Sequence, residues 1–241
     1  MTFAYFDKVV RGTETEDNLV ILQFLKGMIG QTFSFLNYYK EIPVSYDARL
    51  LSVENGMAEF EIHEYQAKAI SIEKKTLIRT HPKSPTPDDL VGDVFYVNVT
   101  RKRVVLTNFH YARIRSDLRR FVRVCLDGHR ADADLHCGNE IIPAAVRDIS
   151  LGGVALRLAT NMPPDIEPDT EVNLILKLES QDPSSLCEIG VAGTVTKIMG
   201  DSPNLTCIME FHPDRHSQQA LAYYINQRQV EIIRELKEFA A

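Results

Sequence analysis

The sequence predicts a mainly β protein: two small β-barrel domains, the first with a leading helix and the second followed by a C-terminal helix. Three observations predict it. Beyond Ile42 the hydrophobic period drops to two and stays there through many short runs separated by turn residues. An arginine-rich stretch divides those runs into two series. The chain, at 241 residues, is long for one domain and suits two.

Taken in order, Thr13–Glu14–Thr15–Glu16–Asp17 sets hydroxyls and acids ahead of Leu19, Leu22, Leu25, Met28 and Ile29 at helical spacing. This opens a helix that Gly27 and Gly30 stop. Val44–Leu51, Met57–His63, Ala67–Ile72, Thr76–Thr80, Asp93–Thr100 and Val104–Asn108 read as strands, with Glu54-Asn55-Gly56 as a hairpin turn. His81–Asp89, with three prolines, reads as a surface loop. The second series is Phe121–Leu126, Ile141–Ile149, Val154–Leu158, Val172–Leu178, Glu188–Met199 and Leu205–Phe211, six strands suited to a closed antiparallel barrel. The polar run Asp127–Glu140 reads as a hairpin loop. After His212-Pro213, Asp214 or Ser217 opens a helix whose apolar stripe is Leu221, Tyr224, Ile225, Ile232, Leu236 and Phe239. The expected domains are residues 1–112 and 113–241, with 111–123 as the connector.

Composition narrows the function. Lys and Arg number 27 against 33 Asp and Glu, a net charge of −6, which is the wrong sign for a protein living on duplex DNA or an anionic membrane. No apolar run reaches the roughly 18 residues of a membrane helix, and the N-terminus lacks the pattern of a signal peptide, so a cytoplasmic protein is expected. Four cysteines without a CxxC speak for small core residues rather than a zinc cluster. The histidines form no HExxH; neither GxSxG nor a P-loop occurs, so no enzyme and no metal site are expected.

One segment breaks the acidic balance. Arg101, Lys102, Arg103, Arg113, Arg115, Arg119, Arg120 and Arg123 face a single acid, Asp117. The preference for Arg over Lys matters, because a planar guanidinium grips phosphate through two hydrogen bonds, stacks on purines and reads the O6/N7 edge of guanine. Within it, Arg119-Arg-Phe-Val-Arg123 is an RxxxR directly before a strand, and Asp148-Ile-Ser150-Leu-Gly152-Gly153 is a DxSxxG between two strands. At this composition chance supplies about one RxxxR but only about 0.06 of a [D/N]xSxxG, so the ordered pair carries the information.

These two motifs, in this order and at this separation, resemble those of the PilZ domain, the bacterial receptor for cyclic di-GMP. The first half is similar, by order and size, to the β domain that precedes PilZ in flagellar-brake-type proteins. The resemblance implies a six-stranded barrel. It also implies a cyclic di-GMP receptor that reorients its domains on binding and signals to a protein partner such as the flagellar motor or the polysaccharide-secretion machinery, with no cofactor and no nucleic acid. The residues it implies for the ligand are Arg119, Arg123, Asp148, Ser150 and Gly153, joined by Arg120, Gly152 and Arg115. The arginines suit phosphate and a guanine edge. Asp148, acceptor-only when ionised, suits guanine N1–H and N2–H₂, and the glycines admit backbone close to a flat ligand. Leu118 stands where some members carry a further Arg, implying one ligand per chain. Two other classes remain open: a small barrel that binds single-stranded nucleic acid, and a degenerate PilZ module that binds protein alone.

Overall fold

The computed structural model describes residues 5–80, 88–115, 119–138, 140–158, 166–179, 185–200 and 205–239. They fall into two compact units: residues 1–39, 43–119 and 232–241 form the first, and residues 40–42 and 120–231 the second.

The first unit opens with β1 (Phe6–Val9) and α1 (Glu14–Lys26). The helix starts where the capping residues stand: Thr13 accepts from the Glu16 amide, and Glu16 reaches back to Thr13 N. It stops at Gly27 and buries Ile21, Leu22 and Leu25. There follow β2 (Thr32–Tyr39), β3 (Ile42–Glu54), β4 (Met57–Glu61), α2 (Glu64–Glu73), β5 (Lys75–Arg79), β6 (Asp89–Asn98) and β7 (Arg103–Ile114). The strand order is β1-β7-β4-β3-β2-β5-β6, and β6 pairs back onto β7, so six strands close a barrel with β1 as an added edge. Phe35, Phe60, Leu50, Leu106 and Phe109 fill it beneath α1.

Three features here were not legible in the local pattern. Ala67–Ile72, expected as a strand, lies in α2: His63 Nδ1 accepts the Tyr65 amide as a cap, and Lys74 closes the helix in a left-handed conformation. Its small residues, Ala67 and Ala69, alternate as a strand would but favour a helix intrinsically. The strand β2, absent from the expected series, is buried on both faces from Leu36 to Tyr38 and shows no alternation. The strand β7 continues through Ile114, so Tyr111–Ile114 pair in the sheet with β1 and do not form a connector. The greater part of the proline loop, residues 81–87, lies outside the described residues.

The second unit contains β8 (Val124–Cys125), β9 (Ala131–Cys137), β10 (Glu140–Ser150), β11 (Gly153–Leu158), β12 (Glu171–Glu179), β13 (Leu186–Met199) and β14 (Leu205–Phe211). Their order is β11-β14-β13-β12-β9-β10-β8, with β11 paired back onto β10, again a closed six-stranded barrel. The expected strand at Phe121–Leu126 shrinks to the two-residue edge β8. The sixth barrel strand is β9, inside the run expected as a loop; Ala131, Ala133 and Leu135 point inward while the residues between them point out. The interior is built by alternation, as on β12, where Val172, Leu174, Leu176 and Leu178 are buried in turn.

The helix α3 (Arg215–Glu238) follows, with Asp214 Oδ1 accepting the Ser217 amide at 2.7 Å, so Asp214 and not Ser217 is the cap. Ser217 Oγ donates instead to Gly190 O. Leu221, Ile225, Ile232 and Leu236 form its buried stripe. Residues from Ile232 onward count with the first unit, where Leu236 packs on Val44 and Ala69, and Lys68 Nζ donates to Lys237 O at 2.6 Å.

Candidate ligand site at the β10–β11 turn

The site is made by a bulge. Along β10, Ala144 and Val146 point inward by simple alternation, but the register against β11 shifts between Val146 and Asp148. The extra residue, Arg147, faces out, and the next three, Asp148, Ile149 and Ser150, are all buried. A bulge re-aims side chains in this way at many functional sites. Here it puts a carboxylate, 2% exposed, at the rim of a barrel.

That carboxylate is held by two guanidinium groups. Arg123 Nη1 lies 3.5 Å from Asp148 Oδ1, and Arg147 Nε donates to Oδ2 at 3.2 Å. Burial pushes the Asp148 pKa above the usual carboxylate value, while Arg123 and Arg147 pull it down and Glu41 adds to the rise. Burial prevails, as expected for an ion taken almost wholly out of water. The arginines are better solvated: their side chains are 28% and 16% exposed, so both can offer donors outward. Cys125, directly across from Asp148 on β8, has its thiol pushed up to about 11 by burial and behaves as a neutral small side chain.

The turn itself is tight. Ser150 pairs with Gly153, leaving Leu151 and Gly152 as its two-residue tip. Ser150 Oγ accepts from Gly152 N and donates to Gly153 O, both at 3.3 Å. The two glycines are required by protein neighbours. A Cβ on Gly153 would sit 2.2 Å from Met209 O of β14, and one on Gly152 would sit 2.9 Å from the Phe121 ring. Phe121 therefore covers the turn, and the Arg120 guanidinium lies 5.2 Å from the centre of that ring. Beside the bulge, a cleft of about 180 Å³ is lined by Arg130, Arg147 and Arg157 together with Leu126–Asp132.

The second unit thus brings together Arg120, Arg123, Asp148, Ser150, Gly152 and Gly153. Arg115 and Arg119 belong to the first unit. Arg115 donates through Nε to Asp7 at 2.6 Å, and its amide donates to Tyr5 O; Arg119 lies 5.8 Å from the centre of the Tyr5 ring. Leu118 lies outside the described residues. The motifs do not include Arg147, although it directly precedes Asp148 and its position on a bulge is the only signal that would have found it. Arg157 and Glu41 carry no motif signal at all.

Residues 117–227, which include this barrel and turn, match the family model described as "PilZ domain". The two-barrel chain also resembles solved structures of low identity. They include the inhibitor of motility MotI/DgrA of Bacillus subtilis (17% identity, 84% of this chain and 97% of that one, TM-score 0.43). Two others are structures with c-di-GMP: K. pneumonia MrkH (14%, 95% and 100%, TM-score 0.46) and Escherichia coli YcgR (10%, 99% of each chain, TM-score 0.41). A comparison with curated protein sequences finds no match. Among the described residues no helix is long and apolar enough to cross a membrane, and no three His, Cys, Asp or Glu side chains group as metal ligands.

Proposed function

We propose that this protein is a cytoplasmic, non-catalytic receptor for cyclic di-GMP that passes the signal to a protein partner. The observation that carries the reading is the buried Asp148, presented by the β10 bulge between two partly exposed arginines and beside the Ser150 turn. Cyclic di-GMP is a dianion with two guanines. Arg123 and Arg147 supply charge-assisted donors for phosphate or for the O6/N7 edge of a guanine. The Asp148 carboxylate accepts from guanine N1–H and N2–H₂, a donor pair that adenine lacks.

Arg119 and Arg115 complete the site from the chain just before the barrel. In the free protein Arg115 is engaged by Asp7, and Arg119 lies near Tyr5. A dianion competes for those guanidinium groups, so binding redistributes the contacts of Arg115 and Arg119. That redistribution shifts the arrangement of the two domains, by as much as the ligand's differential affinity allows. The partner reads the shift.

Titration calorimetry with cyclic di-GMP, with GTP and single-stranded RNA as controls, tests the reading. Saturable binding of cyclic di-GMP alone supports it. Preference for the polymer would make the protein a nucleic-acid-binding barrel, and absence of heat with every probe would leave a protein-interaction module.

A further inference from the structure

The β2–β3 hairpin turns on two residues, Lys40 and Glu41, both with left-handed backbone (φ 49° and 71°). Two consecutive positive φ values are the pattern of a type I′ turn, which usually takes Asn-Gly because a Cβ is disfavoured there. Left-handed residues with a Cβ persist where their surroundings hold them, and they gather at functional sites. Here the surroundings are those of the ligand site: Lys40–Ile42 group with the second unit, and Lys40 O accepts the Cys125 amide at 3.2 Å. Cys125 is the register partner of Asp148.

The next residue, Glu41, is 4% exposed. A carboxylate buried to that extent is held by its surroundings. Its charge is felt at Asp148, whose pKa it helps to raise. A second acid beside the site's own acid is unhelpful for holding an anion, since like charges repel.

We propose that Glu41 is a built-in anion of the ligand site, held there by the hairpin tip, and that it sets the site's affinity by opposing the phosphates of the incoming dinucleotide. The proposal rests on the reading of the site as a cyclic di-GMP site. Binding then requires the Glu41 carboxylate to give way to the incoming phosphates. The threshold of the receptor is tuned by a residue 78 positions before the first motif and 107 before the second. The turn sequence has the same logic: Lys40-Glu41 trades a relaxed turn for a charge at this position.

The test is calorimetric titration of cyclic di-GMP into the full chain, comparing wild type, Glu41→Gln and Glu41→Gly. The glycine variant removes the same single charge while favouring the left-handed backbone of the turn, and so remains informative where the glutamine variant folds poorly. Both are expected to bind about tenfold more tightly, the effect of removing one opposing charge at about 1.4 kcal/mol. Equal or weaker affinity, with wild-type binding intact, would overturn the role of Glu41 alone. A wild-type chain that takes up no cyclic di-GMP would instead overturn the functional reading. A measurement without ligand separates the two further: the NMR titration midpoint of the Asp148 carboxyl should fall in Glu41→Gln, and an unchanged midpoint would overturn the contact between Glu41 and the site.

Discussion

Asp148 is the residue on which ligand recognition and fold stability pull apart. Its folded-state pKa is raised by burial. For such an acid, the contribution to stability is present below the ordinary carboxylate range and is lost as pH rises through the raised value. Above that value the charged Asp148 carboxylate therefore costs the ligand-free fold stability. Asp148→Asn should unfold at a higher temperature than wild type at pH 7, with the difference shrinking in acid; thermal scans across that range check it, and a lower midpoint at pH 7 would show that Arg123 and Arg147 outweigh burial. Arg123 plays the opposite part, since its side chain is 28% exposed and it holds Asp148 only at 3.5 Å. Arg123→Ala should weaken cyclic di-GMP binding by roughly ten- to 150-fold, the worth of one charge-assisted hydrogen bond at about 1.5–3 kcal/mol. Arg101→Ala, on a turn of the first unit, should change it little. Equal losses at both would mean a diffuse basic surface.

At the scale of elements, the β10–β11 turn is fixed from outside. Gly153 faces the Met209 carbonyl, and backbone cannot give way as a side chain can. Gly153→Ala should therefore destabilise the barrel by about 3 kcal/mol, whereas Gly152→Ala should cost about 1 kcal/mol because Phe121 can turn aside. In Phe121→Leu the Gly152→Ala penalty should disappear; a double-mutant cycle by urea denaturation measures it, and a penalty that persists would show that the turn backbone itself is the obstacle. These elements also show what was legible. The capping box Thr13–Glu16 and the alternation on β12 could be read because each signal is local, within a few residues. The register shift at Arg147 could not, because a bulge is defined by the partner strand. The strand β9 lay in plain view as alternating Ala131-Asp-Ala-Asp-Leu135, masked by its polarity, since short alanines are enough to fill the barrel at those positions. Helix α2 was mistaken for a strand for the converse reason, its alanines alternating without being on a sheet. The two motifs of the candidate site were visible as patterns, but Arg147 and Glu41, which act on Asp148 together with Arg123, were visible only in three dimensions.

At the scale of the whole molecule, an acidic chain concentrates seven arginines and one lysine within residues 101–123. Arg115 and Arg119 belong to the first unit, and Arg120 and Arg123 to the second. Adding cyclic di-GMP should raise amide-exchange protection across residues 119–123, and confirmed binding with no change in protection would leave a receptor whose connector is not the switch. The central claim, that Asp148 reads guanine, is tested most directly by the ratio of affinities for cyclic di-GMP and cyclic di-AMP, measured by calorimetry in wild type and in Asp148→Ala. The account predicts a marked preference for cyclic di-GMP in wild type that collapses toward unity in Asp148→Ala, because the acceptor for guanine N1–H and N2–H₂ is gone. An unchanged ratio in the variant would contradict it.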